Sequence, residues 1–287
     1  MRYESPLSVE DAVAALAGAP DAHVLAGGTD LLVRLRSEMI EPEMIVDIKR
    51  IAGMKDIRAE DGGWRIGAAV SSAEMAEHEG LVAAWPGVVE AAGLIGSTQV
   101  QGRATLAGNL CNASPAADSV PAMVAAGALV RIVGPNGTRD LAVIDVPQGP
   151  GKTALEPGEF VASVFLPALG DRSGDAYLRF IPRSEMDIAV VGCGVSLSLD
   201  EGDRVSAARI SLGAVGPKVM LVEAAAEAII GRVLDGAALA DLAAACSAAA
   251  RPIDDKRGTV DFRCHVSGVL ARRAAEIAEA RAKGETA

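Results

Sequence analysis

Two short runs of small and polar residues carry the chemical interest of this 287-residue chain. The first is Leu25-Ala26-Gly27-Gly28-Thr29-Asp30-Leu31-Leu32. The second is Thr105-Leu106-Ala107-Gly108-Asn109-Leu110-Cys111-Asn112-Ala113-Ser114-Pro115-Ala116-Ala117-Asp118. Runs with so few bulky side chains read as irregular loops that cannot build a core. They can bring backbone N–H groups and short polar side chains close to a large polar ligand. Gly27-Gly28 lies between an apolar strand and a helix opening near Thr29. The free N–H groups and dipole of a helix start favour a phosphate or pyrophosphate, and Thr29 adds a hydroxyl. The alternative is a tight turn that needs glycine for its own geometry. Asp30 opposes phosphate by charge, but in a first helical turn it complements the dipole and can cap. Two such loops, far apart in sequence, point to one extended ligand held from two sides.

Other constellations are poorer. Histidine occurs only as His23, His78 and His265, none beside a Ser or Cys arrangement that suggests a triad. Acid–base catalysis by side chains is therefore poorly supported, and a cofactor must carry any chemistry. Cys111, Cys193, Cys246 and Cys264 form no Cys-x-x-Cys pair, which disfavours an iron–sulfur or zinc site and a disulfide framework. They read as reduced, packing thiols; Cys111 stands apart because its loop is the candidate site, although packing is the role expected of it too. No Gly-x-Gly-x-x-Gly is present, and Gly151-Lys152-Thr153 lacks the earlier P-loop glycine because position 146 is Val. Arg183-Ser184-Glu185-Met186-Asp187-Ile188 joins two strands and is either a solvated turn or a segment folding over the ligand.

Several elements must position the two loops. Ser8-Val9-Glu10-Asp11 matches a capping box that opens a helix to Gly18. His23–Ala26 is a short strand, Leu32, Leu35 and Met39 follow helical spacing, and Met44–Ile48 is strand-like. Trp64–Val70 is a strand, and Ser71-Ser72-Ala73-Glu74 caps another helix. Trp85–Leu94 reads as a helix, 96–118 as a loop, and Ser119–Ala126 as a helix. Ala128–Val133 and Phe160–Leu166 are strands. A composition change over 167–174 marks a lobe boundary. Beyond it, strands at Tyr177–Ile181, Ile188–Leu199 and Val205–Gly213 precede three helices, an α+β arrangement.

The chain is half apolar and only 3% aromatic, so it is globular with a core of Ala, Val, Leu and Ile. A net charge of −11 argues against nucleic-acid binding. No apolar run approaches a membrane span and no signal region opens the chain, so a cytoplasmic location is expected.

With these residues placed, the chain resembles the FAD-binding medium subunit of the molybdenum hydroxylases, the family of carbon monoxide dehydrogenase and xanthine dehydrogenase. The resemblance runs nearly end to end. It rests on Ala26 to Leu31, Thr105 to Asn109, Asn112 to Asp118, and Arg183 to Ala189. It implies a vanillyl-alcohol-oxidase-like (PCMH-type) FAD-binding domain over residues 1–170, with subdomains meeting near 56 and 57. A C-terminal domain of a three-stranded antiparallel sheet and a helical bundle would span 174–283.

FAD is the implied cofactor. The resemblance places Ala26, Gly27, Gly28, Thr29, Asp30 and Leu31 at its pyrophosphate, and Thr105, Gly108 and Asn109 at pyrophosphate and ribityl. It brings Asp118 into contact with the cofactor and Ile95 and Ile188 close to it. It implies no catalytic residue and no metal site in this chain. The implied function is electron transfer from the [2Fe–2S] clusters of a small subunit, through FAD, to an external acceptor. A large subunit with the molybdenum cofactor would complete a dimer of heterotrimers. Asp187-Ile188-Ala189 follows the xanthine dehydrogenase pattern, where carbon monoxide dehydrogenases carry a tyrosine, which turns the expected substrate away from carbon monoxide. The cysteine-rich insertion of the benzoyl-CoA reductase branch is missing. The competing readings are a free-standing FAD-dependent oxidoreductase of the same fold and a flavin-free scaffold subunit.

Overall fold

The computed structural model describes residues 1–285. The chain opens on β1 (Arg2–Glu4), α1 (Val9–Ala17), β2 (Ala22–Leu25), α2 (Leu31–Arg36) and β3 (Met44–Asp47). The three strands are parallel, with β3 in the centre and Met44 facing Arg2 on one side and Ala22 on the other. Every β3 residue is buried, as a covered central parallel strand requires. Ser8 caps α1 by accepting from the Asp11 N–H at 3.1 Å, and the helix buries Ala12 and Leu16. α2 is shorter than its apolar spacing predicts. It stops at Arg36, leaves Leu32 and Met39 exposed, and starts at Asp30 without the expected side-chain cap.

The second unit begins with β4 (Ile57–Glu60) and β5 (Gly63–Gly67). Six short helices follow: α3 (Ser72–Ala76), α4 (Glu79–Ala84), α5 (Pro86–Gly93), α6 (Thr98–Gln101), α7 (Leu106–Cys111) and α8 (Ser119–Ala125). Then come β6 (Leu129–Gly134), β7 (Gly137–Ala142), β8 (Pro147–Gly149), β9 (Lys152–Thr153) and β10 (Phe160–Leu166). The main sheet is antiparallel in the order β4-β5-β10-β6-β7. The Ser71–Glu74 capping box is complete: Glu74 N–H donates to Ser71 Oγ at 3.2 Å, and Ser71 N–H to Glu74 Oε2 at 2.7 Å.

Residues 96–118 are not the single loop that small residues suggest. They include α6 and α7, and Leu106, Ala107 and Leu110 of α7 enter the core. Small residues here let short helices pack closely. The two units share one buried cluster, in which Val46 and Ile48 join Ile66, Val130 and Phe160.

The C-terminal lobe holds β11 (Ser173–Phe180), β12 (Val191–Leu199), β13 (Val205–Gly213) and β14 (Met220–Leu221). The expected three-stranded sheet therefore has a fourth strand, in which Leu221 pairs with Ser211. Two residues are too few for a pattern in sequence. α9 (Glu223–Glu227), α10 (Gly236–Ala249) and α11 (Val260–Ala282) complete the lobe. α11 covers β11 and β12, and α8 of the first lobe packs on β12 and β13. Gly194 makes that second contact possible, since a Cβ there would lie 2.5 Å from the Pro121 carbonyl oxygen.

Asp175 pins the lobes together. Its carboxylate accepts the Gly87 and Val88 N–H groups at the start of α5, each at 3.0 Å. Arg281 of α11 donates to the Asp175 carbonyl at 2.8 Å and pairs with Glu90. Burial pushes the Asp175 carboxyl up to about 6, against the pull of the two N–H groups and Arg281. A raised carboxyl stabilises the fold fully below its ordinary value, and that contribution is lost as pH rises through about 6. Asp175→Asn removes this dependence. Relative to the variant, the parent is expected to lose up to roughly 3 kcal/mol of unfolding free energy between acid and neutral pH, by urea titration. A constant offset between the two over that range would contradict the assignment.

Candidate cofactor site

The two glycine-bearing segments meet backbone to backbone. Gly27 presses on the Arg103–Ala104 peptide so closely that a Cβ would lie 1.8 Å from the Arg103 carbonyl oxygen. Gly28 has φ +79°, and its Cβ would sit 2.7 Å from Leu25 Cδ1. The fold thus demands both glycines before any ligand is considered. The turn reading explains why they are glycine, and the ligand reading must rest on other groups.

Those groups are main-chain donors. The N–H groups of Gly27, Gly28, Thr29 and Asp30 find no acceptor among the described residues. All four residues line a cleft of about 360 Å³. Ala26 and Leu31 line it from the same segment, and Ile95, Thr105, Gly108 and Asn109 line it from the other side. Consecutive unpaired amides in a concave site form an anion-binding nest, and the start of α2 adds its dipole. Thr105 Oγ1 is engaged as the N-cap of α7, accepting from Gly108 N–H at 2.9 Å. Asn109 Oδ1 accepts from the Ser119 N–H at 3.1 Å and from the Ser119 hydroxyl at 2.7 Å, which locks the second segment to α8.

His23, Arg34 and Thr153 of the lining escape sequence reasoning, while Cys111 and Asn112 line the cleft from the second segment. Arg34 lies one helical turn beyond Asp30, a spacing that is legible once α2 is recognised. Burial raises the Asp30 carboxyl pKa and Arg34 opposes the rise. Thr153 arrives on the β8–β9 hairpin, which Gly151 N–H ties to the Ala113 carbonyl at 3.0 Å. Nothing local in sequence signals that tie. Burial pushes the Cys111 thiol up to about 12, so it remains neutral. Among the described residues, the lining holds no nucleophile hydrogen-bonded to a base, and it can bind and orient but not exchange protons by a relay.

Two expected site residues stand outside the lining. Asp118 is buried at the lobe interface, where Arg179 Nη1 donates to it at 2.8 Å and the Tyr177 hydroxyl at 3.3 Å. Its carboxyl pKa is raised by burial, with Arg179 pulling the other way. Asp118 thus carries a lobe-to-lobe ion pair. Ile188 is 52% exposed on the segment between β11 and β12. That segment reaches the first lobe through Met186 N–H, 3.4 Å from the Gly96 carbonyl and one residue from Ile95. Arg183 Nε holds Asp187 at 3.2 Å and Arg257 approaches it at 3.7 Å.

Residues 1–169 match the family model described as the FAD binding domain in molybdopterin dehydrogenase. Residues 176–278 match the CO dehydrogenase flavoprotein C-terminal domain. This chain belongs to the FAD-binding flavoprotein family of the molybdopterin dehydrogenases. It is 34% identical to the carbon monoxide dehydrogenase medium chain of Afipia carboxidovorans, over 98% of this chain and 97% of that one. It is 30% identical to the putative xanthine dehydrogenase FAD-binding subunit of Escherichia coli, over 99% and 97%. Its fold superposes on the reconstituted CO dehydrogenase from Oligotropha carboxidovorans with a TM-score of 0.93 and 33% identity, each chain covered to 98%.

The flavoprotein's cleft fits FAD on its own chemistry. A pyrophosphate accepts hydrogen bonds and carries charge, and the first segment offers unpaired donors with the Arg34 guanidinium nearby. Gly27→Ala is expected to separate the two segments and reduce flavin content below one tenth of the parent, measured as flavin per protein after desalting. Gly28→Val, strained at positive φ, is expected to behave alike, and parent-like flavin content in both would contradict the placement. Cys111→Ser is expected to keep its flavin, and the parent's Cys111 to resist iodoacetamide at neutral pH in the folded state. A flavin-free Ser variant would show that the thiol does more than pack.

Proposed function

We propose that this flavoprotein is the electron-transfer subunit of a molybdenum-containing hydroxylase, working with an iron–sulfur small subunit and a large subunit that holds the molybdenum cofactor. One observation carries the reading. The cleft presents four consecutive unpaired amides and no nucleophile–base pair among the described residues, so it is equipped to hold a redox cofactor and not to act on a substrate by itself. Bound FAD supplies the redox chemistry, accepting electrons singly from iron–sulfur clusters and releasing them in pairs to an external acceptor. The chain's residues do the rest. Gly27, Gly28, Thr29 and Asp30 grip the pyrophosphate, while Thr105, Gly108 and Asn109 face the pyrophosphate–ribityl stretch. Ile95 and the Ile188 segment stand at the flavin end.

The distribution of cysteine agrees with clusters carried by another polypeptide. All four thiols are free, and Cys193 and Cys246 are buried in the C-terminal core. The relatives named above are subunits of dehydrogenases for carbon monoxide and for xanthine, so one flavoprotein architecture serves different substrates. The organic substrate is then chosen on the large subunit, and a dimer of heterotrimers is the assembly expected.

Native purification tests the proposal. Flavin, iron and molybdenum are expected to co-elute with this chain, and reduction by the complex's substrate to bleach the flavin bands. A flavin-bearing chain that elutes alone and turns over substrate would instead be a free-standing oxidoreductase. A complex with iron and molybdenum but no flavin would make the chain a scaffold.

A further inference from the structure

We infer that Lys49 is a positioning residue for the pyrophosphate-binding amides, an assignment that rests on the flavin reading above. Lys49 follows β3 in a single 3-10 turn, Ile48–Arg50. Its Nζ donates to the Ala26 carbonyl oxygen at 3.2 Å and lies 2.7 Å from Asp47 Oδ1. Lys49 is not part of the cleft lining, so it acts on the site only through the Ala26–Gly27 peptide.

The geometry of one peptide plane makes this contact matter. The Ala26 carbonyl and the Gly27 N–H belong to the same peptide, which is trans, so the two groups point in opposite directions. An ammonium that holds the carbonyl on one side aims the N–H to the other. Gly27 N–H is one of the unpaired donors of this turn. Beyond this peptide, the Arg103 carbonyl blocks one side of Gly27 and the positive φ of Gly28 sets the following turn. Lys49 thus supplies the side-chain restraint on the peptide that opens the nest.

The lysine is itself held. Asp47 is buried, its Oδ1 accepts the Lys49 backbone N–H at 3.0 Å, and its Oδ2 accepts the Tyr3 hydroxyl at 2.6 Å. Burial raises the Asp47 carboxyl pKa, but hydrogen bonds from Lys49 and Tyr3 outweigh it and the net shift is downward. The carboxylate therefore stays ionised and keeps the ammonium in place. Because Asp47 neutralises it, Lys49 acts by orientation more than by added charge. The chain of contacts runs from β1 through β3 to the first glycine segment, and it joins both outer strands of the parallel sheet to the cofactor turn.

Binding of FAD, ADP and riboflavin to the flavin-stripped full chain tests the assignment, using Lys49→Met, Lys49→Gln and Lys49→Arg. Loss of a hydrogen bond to a charged group corresponds to about 10- to 100-fold. Lys49→Met is expected to weaken FAD and ADP by that factor and by the same ratio. Riboflavin, which has no phosphate, is expected to bind as in the parent. Lys49→Arg, which keeps a cationic donor, is expected to recover most of the loss. FAD binding by a folded Lys49→Met within twofold of the parent would overturn the inference, as would an equal loss of riboflavin. If Lys49→Met does not fold, Lys49→Gln carries the test: it is expected to lose several-fold in FAD and ADP alone, and parent-like affinity would overturn the assignment. A parent chain that takes up no FAD would defeat the flavin reading as well, whereas a parent that binds and an indifferent variant defeat only the role of Lys49.

Discussion

The architecture depends on a backbone-to-backbone contact between Gly27 and the Arg103 carbonyl. No side chain fits there, since a Cβ would intrude to 1.8 Å. The contact joins a parallel α/β unit to an antiparallel one and leaves a cleft along the junction. Because the first segment is pinned from outside, its amides cannot turn inward to find partners in the protein. Amides without protein acceptors along a half-exposed, concave turn are free to bond a ligand that supplies acceptors, which equips this turn to hold an anion. Rigidity of the turn lowers the ordering cost of binding.

The rest of the molecule holds this junction in place. β3 lies between β1 and β2 and delivers Asp47 and Lys49 to the back of the turn. Asn109 fastens the second segment to α8, and α8 in turn lies on β12 and β13 of the C-terminal lobe. Asp118, at the head of α8, reaches across to Arg179 on β11. Asp175 accepts the first amides of α5, whose far end leads into Ile95 and Gly96. The wall formed by Ile95 and by Thr105 to Asn109 is thus tied to the C-terminal lobe, and the Met186 segment returns from that lobe to Gly96. The surface charge of −11 does not oppose an anionic cofactor, because local N–H groups act at contact distance and distant charges are screened.

Much of this was legible in the sequence, for identifiable reasons. Ser71 and Glu74 announce α3 because capping is a local interaction. β3 and β10 read as strands because their buried stretches are largely apolar, and β12 because Val195, Leu197 and Leu199 alternate with serine. Ten of the twelve expected site residues line the cleft, since runs of Gly, Thr and Asn have few uses in a core. What escaped depends on distance or on length. β4 and β7 carry Arg58, Glu60, Arg139 and Asp140, and such edge strands show little apolar alternation. β14 has two residues. α7 is only six residues long and sits in a run of small and polar residues, so its helical spacing is too brief to stand out. The Asp118 ion pair is not legible locally, because Arg179 lies sixty-one positions later. Lys49 has no motif, and its role exists only because β2 and β3 are neighbours.

Hydrogen–deuterium exchange at single-residue resolution, with and without saturating FAD, addresses the central claim most directly. The amides of Gly27, Gly28, Thr29 and Asp30 are expected to exchange rapidly in the flavin-free chain and to become strongly protected when the cofactor is bound. Bound flavin that leaves those four amides unprotected would contradict the account.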